Sequence, residues 1–338
     1  MTMSLPSVSV IIPAYNAAAF IGDALAALEA QMYQGPLQII VVDDGSTDTT
    51  KNVVEKYSRV KYFFQSNAGP ASARNFGARE ASGEILLFTD SDCRPERAWI
   101  EKMANSFSVP DISVVAGSYG IANPGSLLAR IIHNEIRYRH QALMPEFPRA
   151  FGSYNFAIRR AIFEAVGGFN TDYRTASGED NDLSYKVLKS GGRIRFLRDA
   201  LVDHYHQTDL GKYLKEQFRH GIWRVRMYID HPGMAGGDDY TFWKDIVEVP
   251  AVVVSVIALG LPNPVFFWGW LTAFFTLEIV FGIKMMRSGS LAVAAGMVFW
   301  LRAYARAMGF SVGAVRFLIY LIMNEKKPKF PCGTNALC

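Results

Sequence analysis

Short apolar runs alternate with segments of helical periodicity along the N-terminal part of the chain. Each run is rich in β-branched and aliphatic side chains and ends at a proline or a polar cluster, as buried strands do. The runs cover residues 7–13, 37–42, 60–65 and 84–89. This alternation predicts an α/β fold with a doubly wound, mostly parallel sheet.

The segments between these runs carry recognisable helix start signals. Asn16 is a candidate cap for the first helix, and Ser46 or Thr47 can cap a second helix predicted from 47 to 57. Pro70 suits the first turn of the third helix because an N–H there would have no partner. Ligands of doubly wound sheets bind beyond the carboxyl ends of the strands, where the polar clusters of this chain fall.

The pattern is less regular from residue 115 to residue 230. It predicts a strand at 152–159, a short helix at 160–166 and a helix that opens at Glu179 and stops at a glycine pair. Two short strands are predicted at 193–197 and 201–204. An amphipathic helix is predicted at 213–228, with arginines near a diphosphate or a lipid phosphate, or packed on the core as an ordinary helix.

Charge almost disappears from residue 247 to residue 283, where only Glu248 and Glu278 carry it. Of the two apolar segments there, 247–261 and 264–283, only the second reaches the roughly 20 residues that a spanning helix needs. We interpret the pair as a membrane hairpin, with a buried helical subdomain or an oligomer interface as the alternative. Glu278 should then point inward or be neutral.

The segment 291–323 is interrupted by arginines and is interpreted as two interfacial helices, broken near Gly309 to Gly313. The resulting domain prediction is a catalytic domain at 1–230, a linker at 231–246, and membrane helices with a basic tail at 247–338. Truncation after Met234 should then leave a soluble protein.

The charge of the chain is informative mainly in its C-terminal region. The formal charge of +4 is too small to indicate a nucleic-acid partner. Between residues 284 and 330 the charged residues are basic except for a single acid, Glu325. This excess of positive charge favours anionic lipid at a cytoplasmic surface. The basic residues are Lys284, Arg287, Arg302, Arg306, Arg316, Lys326, Lys327 and Lys329.

Cysteine usage and the N-terminal sequence indicate the compartment. Cys93, Cys332 and Cys338 form no CxxC pair, which suits a reducing compartment. No secretory signal is evident at the start of the chain. We therefore expect a protein of the cell inner membrane with its catalytic domain in the cytoplasm.

Two acidic clusters are the candidate chemical sites. Asp90 and Asp92 follow a predicted strand, and two carboxylates at that spacing can share one hard cation such as Mn²⁺ or Mg²⁺. Asp43 and Asp44 end the second strand and could accept hydrogen bonds from a base or a ribose. Taken alone, either cluster could equally be a polar turn or a helix cap.

Five motifs together resemble glycosyltransferase family 2. They are Pro13-Ala14-Tyr15-Asn16, Val42-Asp43-Asp44-Gly45-Ser46-Thr47-Asp48, Gly69-Pro70-Ala71-Ser72-Ala73-Arg74-Asn75-Phe76-Gly77, Asp90-Ser91-Asp92 and Gly178-Glu179-Asp180. Their order and spacing agree with the family over about residues 7 to 226. The resemblance implies a Rossmann-like GT-A fold and a metal-dependent transferase that uses a nucleotide-sugar.

The resemblance also implies a role for each matching position. The nucleotide-binding set would be Pro13, Ala14, Tyr15, Asp43, Asp44, Arg74 and Asp90. The metal ligands would be Asp90, Asp92 and His204, with His206 in reserve. Asp180 would be the general base that takes the proton of the acceptor hydroxyl; without the family it would be a first-turn acid favoured by the helix dipole.

The predicted reaction is transfer of a sugar from a UDP- or GDP-sugar to a membrane-proximal acceptor, either a lipid-linked glycan or a polyprenyl phosphate. Inversion is implied by the family. The chain lacks the Gln-x-x-Arg-Trp motif of processive relatives, since Gln217 is followed by tryptophan only at Trp223. The alternatives are a nucleotide-sugar-binding membrane protein without chemistry, and a nucleotidyltransferase, which would normally carry a Gly-rich basic loop near its N-terminus.

Overall fold

The computed structural model describes residues 5–175, 177–234, 236, 239, 243–286 and 289–323. The chain forms two compact units. The sheet unit comprises Met1–Pro124 and His140–His206, and the helical unit comprises Gly125–Arg139 and Gln207–Cys338. This division differs from the predicted boundary at residue 230, and the predicted linker lies partly outside the described residues.

The sheet unit contains one sheet of eight strands. In chain order they are β1 (Val8–Ala14), β2 (Leu37–Asp43), β3 (Val60–Phe64), β4 (Ile85–Thr89), β5 (Cys93–Pro95), β6 (Ile112–Ile121), β7 (Asn155–Arg159) and β8 (Arg193–His204). Their spatial order is β3-β2-β1-β4-β7-β6-β8-β5. Strands β1 to β4 pair in parallel, and β6 pairs in parallel with β8, whereas β7 and β5 are antiparallel to their neighbours. The predicted α/β fold with a mostly parallel sheet is confirmed.

Eleven helices accompany these strands in the described part of the chain, apart from short 3₁₀ and π turns. They are α1 (Ile21–Glu29), α2 (Thr50–Val54), α3 (Pro70–Glu80), α4 (Trp99–Asn105), α5 (Leu127–Tyr138), α6 (Arg160–Ala165), α7 (Glu179–Lys189), α8 (Leu210–Asp230), α9 (Trp243–Leu259), α10 (Pro264–Met286) and α11 (Gly289–Met323). Helices α5 and α8 to α11 belong to the helical unit.

The core of the sheet unit lies on its central strands. Every residue of β1 and β4 is buried, because helices cover both faces of a doubly wound sheet, and this explains the continuous apolar runs. Phe88 of β4 stacks on Phe156 of β7 with ring centroids 4.7 Å apart. The polar clusters therefore lie at the ends of strands that are packed in the core of the sheet unit.

Three local predictions for the sheet unit need correction. Asn16 does not cap α1; its φ is 50° and its Oδ1 accepts the N–H of Thr47 at 2.8 Å. Helix α2 is shorter than the predicted helix at 47–57, because the Asp48 carboxylate binds the Thr50 N–H at 3.0 Å and holds the preceding residues in a turn. The two strands predicted at 193–204 are the single strand β8, whose register against β6 shifts between Ala116 and Ser118.

In the helical unit, α8 packs directly against α11 through glycines. A side chain at Gly309 would overlap the carbonyl oxygen of Phe218, and one at Gly221 would lie 2.8 Å from the Phe310 nitrogen. Gly313 faces Ile222 in the same way. The predicted break near Gly309 to Gly313 is wrong, because these glycines allow two backbones to approach within one continuous 35-residue helix.

Among the described residues of this unit, two helices are long and apolar enough to cross a membrane: α10, and the Leu291–Ile319 stretch of α11. The membrane hairpin predicted from the sequence consists of residues 264–283, which lie in α10, and residues 247–261, most of which lie in α9 and not in α11. Helix α9 has only 17 residues, fewer than the roughly 20 that a span requires. Most of α10 is exposed in this structure.

Buried charges of the helical unit form a connected ion-pair network. Lys244 lies 2.7 Å from Glu278, which is only 1 % exposed, so the prediction that Glu278 points inward is confirmed. Arg302 pairs with Glu135 and Glu248. Arg302 and Arg306 were expected to face lipid, but their charges are neutralised by acids inside the unit.

Candidate active site

The carboxyl ends of three neighbouring parallel strands bring the N-terminal motifs together. In the register of β1 and β2, Ala14 lies opposite Asp43, and β4 pairs with the other side of β1 and leads directly to Asp90. Pro13 and Ala14 are buried within β1, whereas Tyr15, just beyond it, is 54 % exposed. Tyr15 can therefore present its ring to a ligand above this edge.

Asp43 and Asp44 are buried and already engaged with their own chain. Asp43 accepts hydrogen bonds from the Ser46 N–H at 2.7 Å and the Tyr62 hydroxyl at 2.8 Å. Burial and the Asp43 carboxylate raise the pKa of Tyr62, so its hydroxyl remains a donor.

Asp44 closes the loop that leads into α3. Its carboxylate accepts from Gln65 at 2.6 Å and from the N–H groups of Ala68 and Gly69 at 2.9 and 2.8 Å. Gly69 has a φ of 92°, a conformation that side chains disfavour. These hydrogen bonds order the loop. A carboxylate can accept about four hydrogen bonds, so Asp44 can also accept one from a nucleotide base, and that contact stays a prediction.

Arg74 joins two acids from distant parts of the chain. Its side chain is 2 % exposed, with Nη2 at 2.7 Å from Asp90 Oδ1 and Nη1 at 3.0 Å from Glu179 Oε1. Burial alone would lower the pKa of Arg74, but the two carboxylates raise it above its usual value. The prediction gave Arg74 a nucleotide contact; the structure shows it bridging the end of β4 and the start of α7.

Helix α7 begins with Glu179 and Asp180. The Asp180 carboxylate accepts the N–H of Asn181 at 2.9 Å and that of Ser153 at 3.4 Å, and loss of water contact raises its pKa. Burial and the adjacent charge of Asp180 raise the pKa of Glu179 to about 7, despite the nearby Arg74. A raised carboxylate pKa suits a general base that works near neutral pH.

Strand pairing places His204 beside Asp92. Cys93 of β5 lies opposite His204 of β8, and Nε2 of His204 is 3.3 Å from Asp92 Oδ2. Burial raises the pKa of Asp92, but the charge and hydrogen bond of His204 lower it, and the net shift is downward. Nδ1 of His204 lies 2.9 Å from Nδ1 of His206, which is buried.

The donor atoms of Asp92, Cys93 and His204 all lie within 4.8 Å of one another. In octahedral coordination with bonds of about 2.1 Å, adjacent ligand atoms are about 3 Å apart, so the Asp92 and His204 pair fits a divalent cation. A carboxylate with an imidazole suits Mn²⁺ better than Mg²⁺. Burial and the two aspartates raise the pKa of Cys93 well above its usual value, so it remains a thiol and a poor ligand.

Sequence reasoning left Glu179 without a role and did not consider Tyr62 or Cys93 as site residues. Glu179 meets Arg74 across 105 positions of the chain, and Tyr62 meets Asp43 only through the β2 and β3 register. No local pattern marks either contact. Cys93 could have been noted from its place directly after Asp92.

Sequence comparison with known proteins agrees with the resemblance to glycosyltransferase family 2. The sequence profile of Glycosyl transferase family 2 matches residues 9–167. Glycosyltransferase AglE of Haloferax volcanii is 29 % identical over 235 residues, covering 68 % of this chain and 76 % of that protein. Validoxylamine A glucosyltransferase of Streptomyces hygroscopicus subsp. jinggangensis is 31 % identical over 233 residues, covering 59 % of this chain. The match spans only 55 % of the latter enzyme.

Solved structures show the same fold. Mannosyltransferase PcManGT from Pyrobaculum calidifontis, determined with GDP-Man and Mn²⁺, superimposes with a TM-score of 0.55 at 20 % identity, covering 96 % of this chain and 89 % of its own. GalNAc-T7 with UDP, GalNAc and Mn²⁺ gives 0.51 at 19 % identity over 68 % of this chain and 51 % of its own. The predicted GT-A fold is confirmed. Together with the motifs at the sheet edge, these matches show that the chain carries a glycosyl transferase family 2 domain over residues 9–167.

Proposed function

We propose that this protein transfers a sugar from a UDP- or GDP-sugar to a membrane-proximal acceptor, in a metal-dependent, inverting and non-processive reaction. The acceptor is a lipid-linked glycan or a polyprenyl phosphate. The observation that carries the proposal is the set of contacts at one sheet edge: His204 with Asp92, and Asp90 through Arg74 to Glu179, beside Asp180.

The metal-binding residues would be Asp92 and His204, with Asp90 on the ribose side. A divalent cation there would neutralise charge that develops on the departing diphosphate. Asp92 is suited to this role because its lowered pKa keeps it ionised. Pro13, Ala14 and Tyr15 would position the nucleotide.

Asp180 would remove the proton of an acceptor hydroxyl as that oxygen attacks the anomeric carbon from the face opposite the diphosphate. Arg74 would fix the start of α7 relative to Asp90 and so hold Asp180 in place. A phosphate acceptor is already ionised, and Asp180 would then orient it instead of taking a proton.

The membrane-proximal acceptor is supported by the helical unit. Apolar side chains on α9, α10 and α11 are unusually exposed, for example Val265 at 71 % and Ile322 at 82 %. Exposed apolar surface of this extent indicates a lipid or protein partner. An anchor at the inner membrane with a cytoplasmic catalytic domain accommodates a nucleotide-sugar donor and a lipid acceptor.

The metal-dependent step can be tested on purified full-length protein in detergent. We expect Asp92→Ala and His204→Ala to abolish the Mn²⁺-dependent thermal shift with UDP- or GDP-sugars and to lower donor turnover about 100-fold or more. Asp203→Asn is the matched control, because Asp203 adjoins His204 but pairs with Arg94 at 3.2 Å. Full activity in both alanine variants would remove the metal site, and absence of any donor turnover in the wild type would favour a non-catalytic binding protein.

A further inference from the structure

A buried asparagine of the sheet unit lies where strands β6 and β8 change register. Phe196 of β8 lies opposite Ala116 of β6. The next pair is Leu201 with Ser118, so β8 has advanced five positions and β6 only two. Such a bulge interrupts the ladder and leaves backbone groups without partners on the neighbouring strand. Asn155 of β7 reaches this place, and it is only 1 % exposed.

The Asn155 amide satisfies the backbone on both strands at the bulge. Nδ2 donates to the Ser118 carbonyl at 2.9 Å and to the Ala200 carbonyl at 3.0 Å, so both of its hydrogens are used. Oδ1 accepts the indole N–H of Trp99 at 2.8 Å, which fixes the orientation of the amide. Gly117 leaves the necessary space, because a side chain there would collide with Asn155 Nδ2 and with the Ala200 carbonyl. The amide therefore joins β6, β8 and α4 at one buried point.

These contacts also fix the two segments that carry the proposed metal ligands. His204 lies four positions after Ala200 on β8. Asp92 lies directly before β5, and three residues separate the end of β5 from Trp99 at the start of α4. A slip of one residue after the bulge would turn the His204 side chain to the other face of β8, away from Asp92. The ladder before the bulge does not prevent this slip, because the irregular segment separates it from His204.

We propose that Asn155 is a positioning residue for the metal site, and that its amide holds the register of β8 that places His204 beside Asp92. This inference rests on the proposed function, which assigns the cation to Asp92 and His204. Asn155 acts through the backbone of β8 and is not itself a metal ligand. The buried side chain of Val202 resists a complete slip, so loss of the amide loosens the pairing of β8 with β5 without abolishing it.

Mn²⁺ binding measures the effect on the metal site. The full-length protein in detergent is titrated with Mn²⁺ in the presence of UDP or GDP, and electron paramagnetic resonance reports the bound fraction and the nitrogen coupling from a histidine ligand. We expect Asn155→Leu to weaken Mn²⁺ binding about tenfold, as replacement of residues that orient metal ligands does, and to reduce the nitrogen coupling. Trp99→Phe removes the indole N–H but keeps an aromatic ring, so its effect should be smaller and in the same direction.

Gln38→Leu is the matched control. The Gln38 amide also ties backbone groups of the sheet unit together, since it donates to the Glu80 carbonyl at 3.2 Å and accepts the Ser82 N–H at 2.8 Å. It lies at the second residue of β2, at the opposite end of the strand from the candidate site. This variant should lower stability and leave Mn²⁺ affinity unchanged. Melting temperatures in detergent report whether each variant is folded.

The register of β8 can also be measured without a metal, through a disulfide between β5 and β8. The Tyr205 N–H binds the Asp92 carbonyl. In the alternation of an antiparallel ladder, the next pair, Cys93 and His204, is therefore a non-hydrogen-bonded one. Such pairs have Cα atoms about 4.5 Å apart, a separation that a disulfide spans.

In a chain with Cys332→Ser and Cys338→Ser, the substitution His204→Cys should therefore allow a crosslink to Cys93 on oxidation. Adding Asn155→Leu should lower the crosslinked fraction, because the two strands are then held in register less firmly. Mass spectrometry of the oxidised protein measures this fraction. Trp99→Phe should lower it less, and Gln38→Leu should leave it unchanged.

A folded Asn155→Leu protein with wild-type Mn²⁺ affinity or an unchanged crosslinked fraction would overturn the proposal, and so would an equal loss in Gln38→Leu. If Asn155→Leu does not fold, Trp99→Phe decides, and wild-type values for that variant would overturn the proposal. Bound Mn²⁺ without nitrogen coupling in the wild type would contradict the metal site of the proposed function. The crosslinked fraction would then still decide whether Asn155 holds the register of β8.

Discussion

Burial sets the chemistry of the two acids at the start of α7. Glu179 and Asp180 are adjacent, and loss of water contact raises the pKa of both; the charge of Asp180 raises the pKa of Glu179 further. Arg74 offsets part of this cost and also holds Asp90 at 2.7 Å. One buried arginine therefore links the end of β4 to the start of α7, the two segments to which the proposed function assigns the donor and the acceptor.

Asp180→Asn tests the general base. We expect donor binding to be retained and turnover to fall by about 100-fold to 10,000-fold, because the amide cannot take a proton. In the wild type, turnover should decline as the pH falls through the raised pKa of Asp180, since the base must be ionised. Kinetics across pH check both points, with the exposed Asp172→Asn as control. A variant that turns over at the wild-type rate would exclude this role.

Glu179→Gln tests the raised pKa through stability. A carboxyl whose folded pKa is about 7, against an ordinary value of 4.5, contributes stability that is present below pH 4.5 and lost as the pH rises through 7. The wild type should therefore lose stability across that interval, by at most about 3 kcal/mol, and the glutamine variant should lose less. Thermal unfolding from pH 4 to 8 measures this, with the exposed Glu164→Gln as control. Parallel profiles for all three proteins would contradict it.

At the scale of elements, the contact between α8 and α11 depends on small residues. Gly309 and Gly313 are four positions apart, so they lie on one face of α11 and admit the backbone of α8. Where lipid replaces water around helices, burial of apolar surface drives their association little and close backbone packing matters more. This explains why the glycines lie within a helix instead of ending it.

Gly309→Ala should destabilise this pair of helices by about 1–3 kcal/mol, because its methyl group would overlap the Phe218 carbonyl and force the helices apart. Gly269→Ala in α10 is the matched control, since nothing lies within 4 Å of the new methyl group. Its higher helix propensity should stabilise by about 0.5–1 kcal/mol. Thermal unfolding in detergent compares the two, and a Gly309→Ala protein as stable as the wild type would refute the tight packing.

At the scale of the whole molecule, the contacts assign α8 to the helical unit, which changes the expected effect of truncation. Removal of all residues after Met234 deletes α11 and uncovers the residues of α8 that face it, among them Ile222 and Val225, which are 7 % exposed in the intact chain. A soluble fragment is therefore not expected from this truncation.

We expect the chain truncated after Met234 to aggregate without detergent, as seen by size-exclusion chromatography. Replacing Ile222 and Val225 by glutamate in the truncated chain should reduce the aggregation, because both positions then face water. A truncated chain that is monomeric in detergent-free buffer would show that α8 does not need α11.

The sequence by itself determined the parallel strands, the order of the motifs at their ends and the resemblance to glycosyltransferase family 2. These features depend on short segments, where periodicity and a few neighbouring residues decide the structure. It also indicated that Glu278 points inward or is neutral, since a charge on an apolar helix is costly where it faces lipid. Strand β6 and helix α5 were not predicted. The register of β6 against β8 shifts, which obscures its period, whereas α5 is amphipathic and could have been found from its helical periodicity.

Only the tertiary structure decided which side chains meet. Arg74 reaches Glu179, Cys93 lies opposite His204, and Arg302 finds Glu135 through strand register and helix packing between segments more than a hundred positions apart. The continuity of α11 was decided in the same way, because a glycine pair can end a helix or admit a neighbouring one, and only the presence of α8 selects between these outcomes. Such contacts cannot be predicted from local sequence, because they form between residues that only folding brings together.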